Sequence, residues 1–373
     1  MKITGFSTEV LELPYSHGGP PVMYGGQEWT HLTTLLVKID TDDGLTGWGE
    51  AYGYNATPAT KVVLDSLIAE QVVGRDPTDI DVLMTDLQRS LHLFGRYGIT
   101  MFALSGVDIA LWDLAGKRAE LPLVQLLGGA QRDTMPAYAS LLACGDGEMA
   151  AELAQAALEE GYPQIKLHER DPDVVGAVRD AIGRSVPLMM DTNCAWRVGE
   201  ALELAQALDA HDLHWLEEPL WPPEDYRQLA RFRWSTGLPV AAGENACTGV
   251  DFEMLTELGA VTYAQPSVTK VGGISEFRKA SLAAREHSVA LAPHSPYFGP
   301  GLLATLHLIA VSPGIDIHVE RLFCELGADL YGGVLDPVDG EISLPGGPGL
   351  GLDPDPDVIE KYRVTPPHGK QLQ

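Results

Sequence analysis

From about residue 134 the chain repeats one pattern. Short apolar runs alternate with segments whose apolar positions recur at helical spacing. The runs are "TMPAYAS", "YPQIKLH", "VPLMMD", "LHWLEE", "LPVAAGE", "AVTYAQP", "SVALAPH" and "IDIHVE". Between them lie amphipathic stretches such as "EMAAELAQAALEEG" and "GEALELAQALDAHD". Runs this short, rich in β-branched and aromatic residues, read as buried strands, and the stretches between them as helices. Eight strand–helix units at a spacing of roughly 25 residues predict an α/β fold of the (β/α)8-barrel type. An open doubly wound sheet is the alternative, but no GxGxxG loop follows any of the strands.

The preceding part reads differently. "HLTTLLVKIDTDDGLTGWGE" is a pair of strand runs broken by Asp43-Gly44, a hairpin signal. "TPATKVVLDSLIAEQVVG" and "SGVDIALWDLAGKRAE" then turn helical. In the second, Val107, Ala110, Leu111 and Leu114 share a face, and Ser105 is a plausible N-cap. Strands followed by helices predict an α+β unit over 1–125, ahead of the barrel at 126–325. The tail, 326–373, is rich in Gly, Pro and Asp but keeps apolar residues, so it reads as ordered loop and edge structure.

Charge narrows the function classes. Lys and Arg total 25 against 52 Asp and Glu, a net charge of −27. That sign opposes nucleic-acid and anionic-membrane partners. No stretch reads as long and apolar enough to span a bilayer, and the N-terminal "MKITGFSTEV" alternates like a strand, unlike a signal peptide. Cys144, Cys194, Cys247 and Cys324 are scattered without CxxC spacing, so reduced thiols and a cytoplasmic location are expected.

The strand-like runs end in polar residues: His168, Asp191, Glu217, Glu244, His294 and Glu320. In a barrel these ends converge on one mouth. Asp191 and Glu217 are 26 residues apart, Glu217 and Glu244 are 27, and His294 and Glu320 are 26. Any one acid alone reads equally as a solvated strand-end carboxylate. Three in register would repel and need a cation, and all-oxygen ligands suit Mg2+. Glu218 follows Glu217, and strand alternation would send the two to opposite faces. Lys166 and His168 sit two apart in "PQIKLHER", on one face of the preceding strand. Basic groups beside a metal-bound acid suit proton abstraction next to a carboxylate, with His168 and His294 as base and acid. A packed structural histidine is the plainer reading of His294.

These residues lie within motifs that resemble the enolase superfamily, in its mandelate racemase-like branch. The resemblance runs nearly end to end: "GLTGWGE" at 44–50, "ALSGVDIALWDLAGK" at 103–117, "LLGG" at 126–129, "DTN" at 191–193, "WLEEP" at 215–219, "AAGEN" at 241–245, "TKVGG" at 269–273, "PH" at 293–294, "VERL" at 319–322 and "GPGLGL" at 347–352. It implies that the α+β unit is a capping domain to which the tail returns. It implies Asp191, Glu217 and Glu244 as Mg2+ ligands, and Lys166 as the first Lys of a KxK motif beside the substrate carboxylate. Asn193 and Glu320 match positions that contact substrate or support catalysis. Loops at about 13–30 and 52–57 would close over the mouth, with His17, Tyr24 and Trp29 as candidate contacts. A homo-oligomer acting on a small carboxylate is expected.

Two departures bear on the reaction. His168 stands where the family's second Lys is expected; neutral imidazole accepts a proton near pH 7 without a large shift. Ser267 stands where the branch carries an Asp that partners the histidine at 294. Lys270, three positions on, is expected to point elsewhere. A racemase needs two comparable bases, whereas a dehydratase needs a base and an acid. His168 and His294 therefore point to dehydration of a hydroxy (sugar) acid to a 2-keto-3-deoxy acid. Racemisation, epimerisation and lactone cycloisomerisation share the enolate. A catalytically idle binding relative is the non-enzyme alternative, favoured only by Ser267.

Overall fold

A computed structural model of the protein describes residues 1–24, 27–312 and 318–364, apart from the side chains of Tyr24 and Gln27. The N-terminal part is an antiparallel sheet. Strand β1 (Ile3–Ser16) is followed by the short hairpin β2 (Met23–Tyr24) and β3 (Gln27–Glu28), then β4 (His31–Thr41) and β5 (Thr46–Ala51). Strands β4 and β5 form the expected hairpin, with Gly44 at φ +86 in its turn. The helix Ile99–Ala119 lies across this sheet, and close approach requires glycine. A Cβ on Gly49 would sit 2.0 Å from the Gly106 carbonyl oxygen. This contact explains the glycines of both motifs by packing. The helix starts at Ile99, six residues before the expected cap. Ser105 is interior, donating to the Met101 carbonyl and accepting from the Gly272 N–H. A four-residue back-bond of this kind lets serine sit inside a helix.

This helix also corrects the expectation that no stretch is long enough to cross a bilayer. It has 21 residues and a mean hydropathy of 1.4, which meets that length and polarity. Of the 18-residue window with that hydropathy, 78 % is buried inside the protein. A core helix apolar on all sides passes the same test as a membrane span.

All eight expected runs contribute strands: β6 (Thr134–Leu141), β7 (Ile165–Leu167), β8 (Leu188–Asp191), β9 (Trp215–Glu217), β10 (Val240–Ala242), β11 (Tyr263–Ala264), β12 (Ala290–Leu291) and β13 (Val319–Leu322). Residues 315–317 of the last run lie outside the described set. The strands pair in parallel and in chain order from β6 to β12, and β13 returns beside β6. The result is a curled parallel sheet wrapped by helices, a (β/α)8 barrel with an N-terminal cap. The tail adds β14 (Glu325–Leu326), β15 (Glu341–Ser343) and β16 (Arg363–Val364). Strands β14 and β16 pair with β1, and β15 pairs with β6.

Three buried acids tie the cap to the rest of the chain. Asp113 accepts from the backbone N–H of Trp48 (2.9 Å) and of Leu350 (2.8 Å), and pairs with Lys117 at 2.8 Å. Asp108 accepts from the Ser275 N–H at 3.0 Å and from its hydroxyl. Glu50 accepts from the Gly301 N–H at 2.8 Å, at the start of the helix Pro300–Ala310. Burial pushes the Glu50 and Asp108 carboxyls up to about 7.

Candidate active site

The parallel register sets the geometry of the mouth. Asp191 pairs with Glu217, and Glu217 with Ala241, so the ends of β8, β9 and β10 stand level. Beneath them a small cluster of Tyr138, Met189, Trp215, Ala241 and Ala292 fills the barrel interior. Trp215 donates its indole N–H to Glu217 Oε2 at 2.8 Å, fixing that carboxylate from below.

Lys166 is fully buried at the centre. Its Nζ lies 2.7 Å from Glu320 Oε1, 3.0 Å from Glu217 Oε1 and 3.5 Å from Asp191 Oδ2. Burial opposes its charge, but the three carboxylates outweigh that, so the ammonium is held above its ordinary range. Glu320 also accepts from the Ser140 hydroxyl (2.9 Å) and the Ser295 N–H (3.1 Å). Burial raises its pKa, but Lys166 outweighs it and the carboxyl falls to about 2. Lys166 and Glu320 therefore form a fixed, fully ionised pair.

The two histidines flank the acid row, His168 after β7 and His294 after β12. His168 Nδ1 lies 2.7 Å from the Leu141 carbonyl, which can only accept, so Nδ1 carries the proton. Nε2 is then a free lone pair, and it lies 3.4 Å from Asp191 Oδ2, beside Lys166. Burial, with Lys166 next, lowers the pKa of this imidazole and favours its neutral form. His294 presents Nε2 to Glu244 Oε2 at 2.8 Å and Nδ1 to the hydroxyls of Ser267 and Tyr297, each at 3.2 Å. Ser267 and Tyr297 also hydrogen-bond each other. Tyr297 thus joins Ser267 where a carboxylate partner is expected. Sequence reading missed it; a polar aromatic three residues after His294 was the only signal.

The mouth opens into a cavity of about 1140 Å3, walled by residues of both barrel and cap. Asp191, Glu244, His168, His294 and Asn193 reach its wall, and Trp29 reaches it from the cap. Asn193, at φ +48, also anchors Asp191 by donating its backbone N–H to Oδ1 at 2.8 Å. Glu217, Lys166, Glu320 and Ser267 lie beneath this wall. His17 is not on it; its Nε2 bonds the Pro20 carbonyl at 2.9 Å. The side chain of Tyr24 lies outside the described residues. The loop expected at 13–30 begins later, because Leu13 is buried within β1 and the strand runs to Ser16.

Two expectations are corrected at the wall. Lys270 does not point elsewhere. A tight turn, with Lys270 N–H donating to the Ser267 carbonyl, brings its Nζ to 3.3 Å from Glu244 Oε1, over the ring of Tyr52. Strand alternation does not separate Glu217 from Glu218 either. Glu218 takes φ +42, past the end of β9, and is buried too, accepting from Asn245 Nδ2 at 2.9 Å.

Five carboxylates thus meet at the strand ends: Asp191, Glu217, Glu218, Glu244 and Glu320. Among the described residues, two lysines, Lys166 and Lys270, stand against them. Burial first, then mutual repulsion, pushes the Asp191 carboxyl to about 6, Glu217 to about 7, and Glu218 well up. Two protein cations do not balance this charge, and a hard divalent cation would offset most of the remainder. The donor set fits Mg2+. In the present side-chain positions Lys166 draws three of the acids to itself and Lys270 a fourth, and among the described residues no three His, Cys, Asp or Glu side chains close on one point.

Comparison with known proteins identifies the family. Residues 148–358 match the enolase C-terminal domain-like family, and residues 18–128 match the mandelate racemase / muconate lactonizing enzyme N-terminal domain. A D-galactarolactone cycloisomerase of Agrobacterium fabrum is 31 % identical, covering 98 % of this chain and 100 % of that protein. A D-galactonate dehydratase of Ralstonia pickettii is 32 % identical, covering 90 % and 95 %. The crystal structure of a racemase from Streptomyces coelicolor with bound magnesium superposes with a TM-score of 0.83 at 30 % identity, covering 97 % and 100 %. The chain therefore belongs to the enolase superfamily, in its mandelate racemase/muconate lactonizing enzyme branch, whose characteristic cofactor is Mg2+.

Proposed function

We propose that the protein removes the α-proton of a sugar acid and then expels an oxygen substituent from the next carbon, leaving a 2-keto-3-deoxy acid. The observation that carries this reading is the fixed tautomer of His168, with Nδ1–H engaged by Leu141 and a bare Nε2 beside Lys166. Asp191, Glu217 and Glu244 would hold Mg2+. When bound, the ion supplies Lewis-acid stabilisation of the negative charge that develops on the substrate carboxylate. Lys166, buried and ionised, adds a fixed positive charge at the same place. His168 Nε2 takes the α-proton, and the electron pair of that C–H bond passes into the enolate. The C–O bond at the next carbon then breaks, its electrons leave with oxygen, and the resulting enol becomes the keto acid. Loss of water needs a proton for the departing hydroxide, and His294 would give it.

A second reading rests on Ser267 and Tyr297. Two hydroxyls, and no carboxylate, stand at His294 Nδ1. A ring oxygen expelled from a lactone leaves as a carboxylate and needs no acid. Cycloisomerisation therefore makes a smaller demand on His294 than dehydration, and the relatives include both activities. One experiment tests both readings. Mg2+-loaded protein is offered a panel of open-chain aldonates and aldarates together with their lactones, and 2-keto-3-deoxy acid is measured. Product from the open acids supports dehydration, and product from lactones alone supports ring opening. No keto product from any of them sinks the proposal, and α-deuterium with inverted configuration in D2O marks an epimerase. His168→Ala should slow the reaction roughly 10^2- to 10^4-fold and abolish α-proton exchange.

A further inference from the structure

The segment after β7 carries a third basic residue, Arg170, which the chemistry above leaves without a role. Lys166, His168 and Arg170 occupy alternate positions and climb from the barrel floor to the mouth. The Lys166 side chain is fully buried, that of His168 is 19 % exposed, and Arg170 is exposed on the cavity wall.

The backbone around Arg170 is pinned on both sides. His168 is held by its bond to Leu141. Glu169 is buried and accepts the backbone N–H groups of Cys144 (2.7 Å) and Gly145 (3.0 Å). Asp171 caps the helix Pro172–Ile182, accepting from the Asp173 N–H at 2.9 Å. Both neighbouring carboxylates are therefore engaged with backbone, and Arg170 makes no ion pair or hydrogen bond with any described residue. A protein with 52 acidic residues thus presents an unpaired guanidinium to its cavity, on a chain segment that cannot drift. The fork geometry of arginine matches a carboxylate bidentately.

We infer that Arg170 is a specificity residue that binds the far carboxylate of an open-chain dicarboxylic sugar acid, while the reacting carboxylate lies at the strand ends by Lys166. This rests on the sugar-acid reading and names its substrate class. The 1140 Å3 cavity has room for a six-carbon diacid lying from floor to mouth.

The test compares galactarate with D-galactonate, which differ only in the oxidation of C6. Binding to Mg2+-loaded protein is measured by calorimetry in a His168→Ala background, where turnover is blocked, with Arg170 intact or replaced by Gln or Lys. Galactarate should bind more tightly than galactonate. Arg170→Gln should weaken galactarate roughly 10- to 100-fold and leave galactonate within about twofold; Arg170→Lys should recover part of the loss. Equal affinities, a preference that survives Arg170→Gln, or no binding of either acid overturns the inference. So does 6-phosphogluconate depending on Arg170 more strongly than galactarate does. Arg170-dependent binding of galactarate without turnover by wild-type protein would sink the reaction and leave the clamp standing.

Discussion

Two groups of acids, one in the cap and one at the barrel strand ends, serve opposite ends. Asp108, Asp113 and Glu50 join the cap to the rest of the chain, and each accepts a backbone N–H from a segment remote in sequence. Asp191, Glu217, Glu218 and Glu244 crowd one another at the strand ends, and what holds them is mainly lysine, histidine and side-chain amide. Apart from the half-buried Glu244, both groups are buried, and both contain carboxyls pushed up to about 7. Burial and a raised pKa therefore do not by themselves mark a site. The difference lies in the donors. An acid held by backbone N–H groups of remote segments is structurally satisfied, whereas acids that share too few cations leave a charge for something else to balance.

Substitution should separate the groups most sharply at the strand ends. Asp191→Asn or Glu244→Gln should cut turnover by about 10^3-fold or more, with the fold retained. EDTA should do the same reversibly, with Mg2+ restoring the rate. Circular dichroism beside steady-state kinetics checks both halves; a substantial residual rate in metal-free protein would break the comparison.

A smaller, opposite effect is expected at the cap. Asp113→Ala leaves the Trp48 and Leu350 N–H groups and the Lys117 ammonium without their acceptor, so it should cost roughly 2–4 kcal/mol of stability. Denaturant titration measures this, and KM of the surviving folded protein should be close to wild type. A change in KM larger than the change in stability would move Asp113 into the other group.

The smallest effect is a pH dependence. The Glu50 carboxyl rises from 4.5 unfolded to about 7 folded. Between those values the folded state binds more protons, so its contribution to stability is full below 4.5 and is lost as pH rises through 7. Unfolding followed from pH 5 to 8 should show stability falling with pH, and Glu50→Gln should flatten that slope. An unchanged slope would mean that Glu50 stays ionised on the Gly301 N–H.

Much of the site was legible before any coordinates. The strand-end acids recur at barrel spacing, and a parallel barrel in chain order has one way to bring them level. Lys166 and His168 read from alternation, since both reach the same oxygen of Asp191. Lys270 and Glu218 did not read from it. Each lies past a strand end, where a turn or a positive φ replaces alternation. Tyr297 was invisible for a related reason: nothing in its position shows that its hydroxyl meets Ser267 thirty residues earlier. His17 read as a mouth contact and instead bonds within its own loop.

The sequence by itself determined the eight strands, their order, and the acids at three of their ends, because the period of apolar residues is a local property that burial enforces everywhere along a strand. Only the tertiary structure decided which buried acids are structural and which face one another, what stands in for a carboxylate beside His294, and that Arg170 meets the cavity unpaired. Those depend on which backbone N–H groups and side chains arrive from distant segments, and partnership across a fold leaves no periodic trace in the chain.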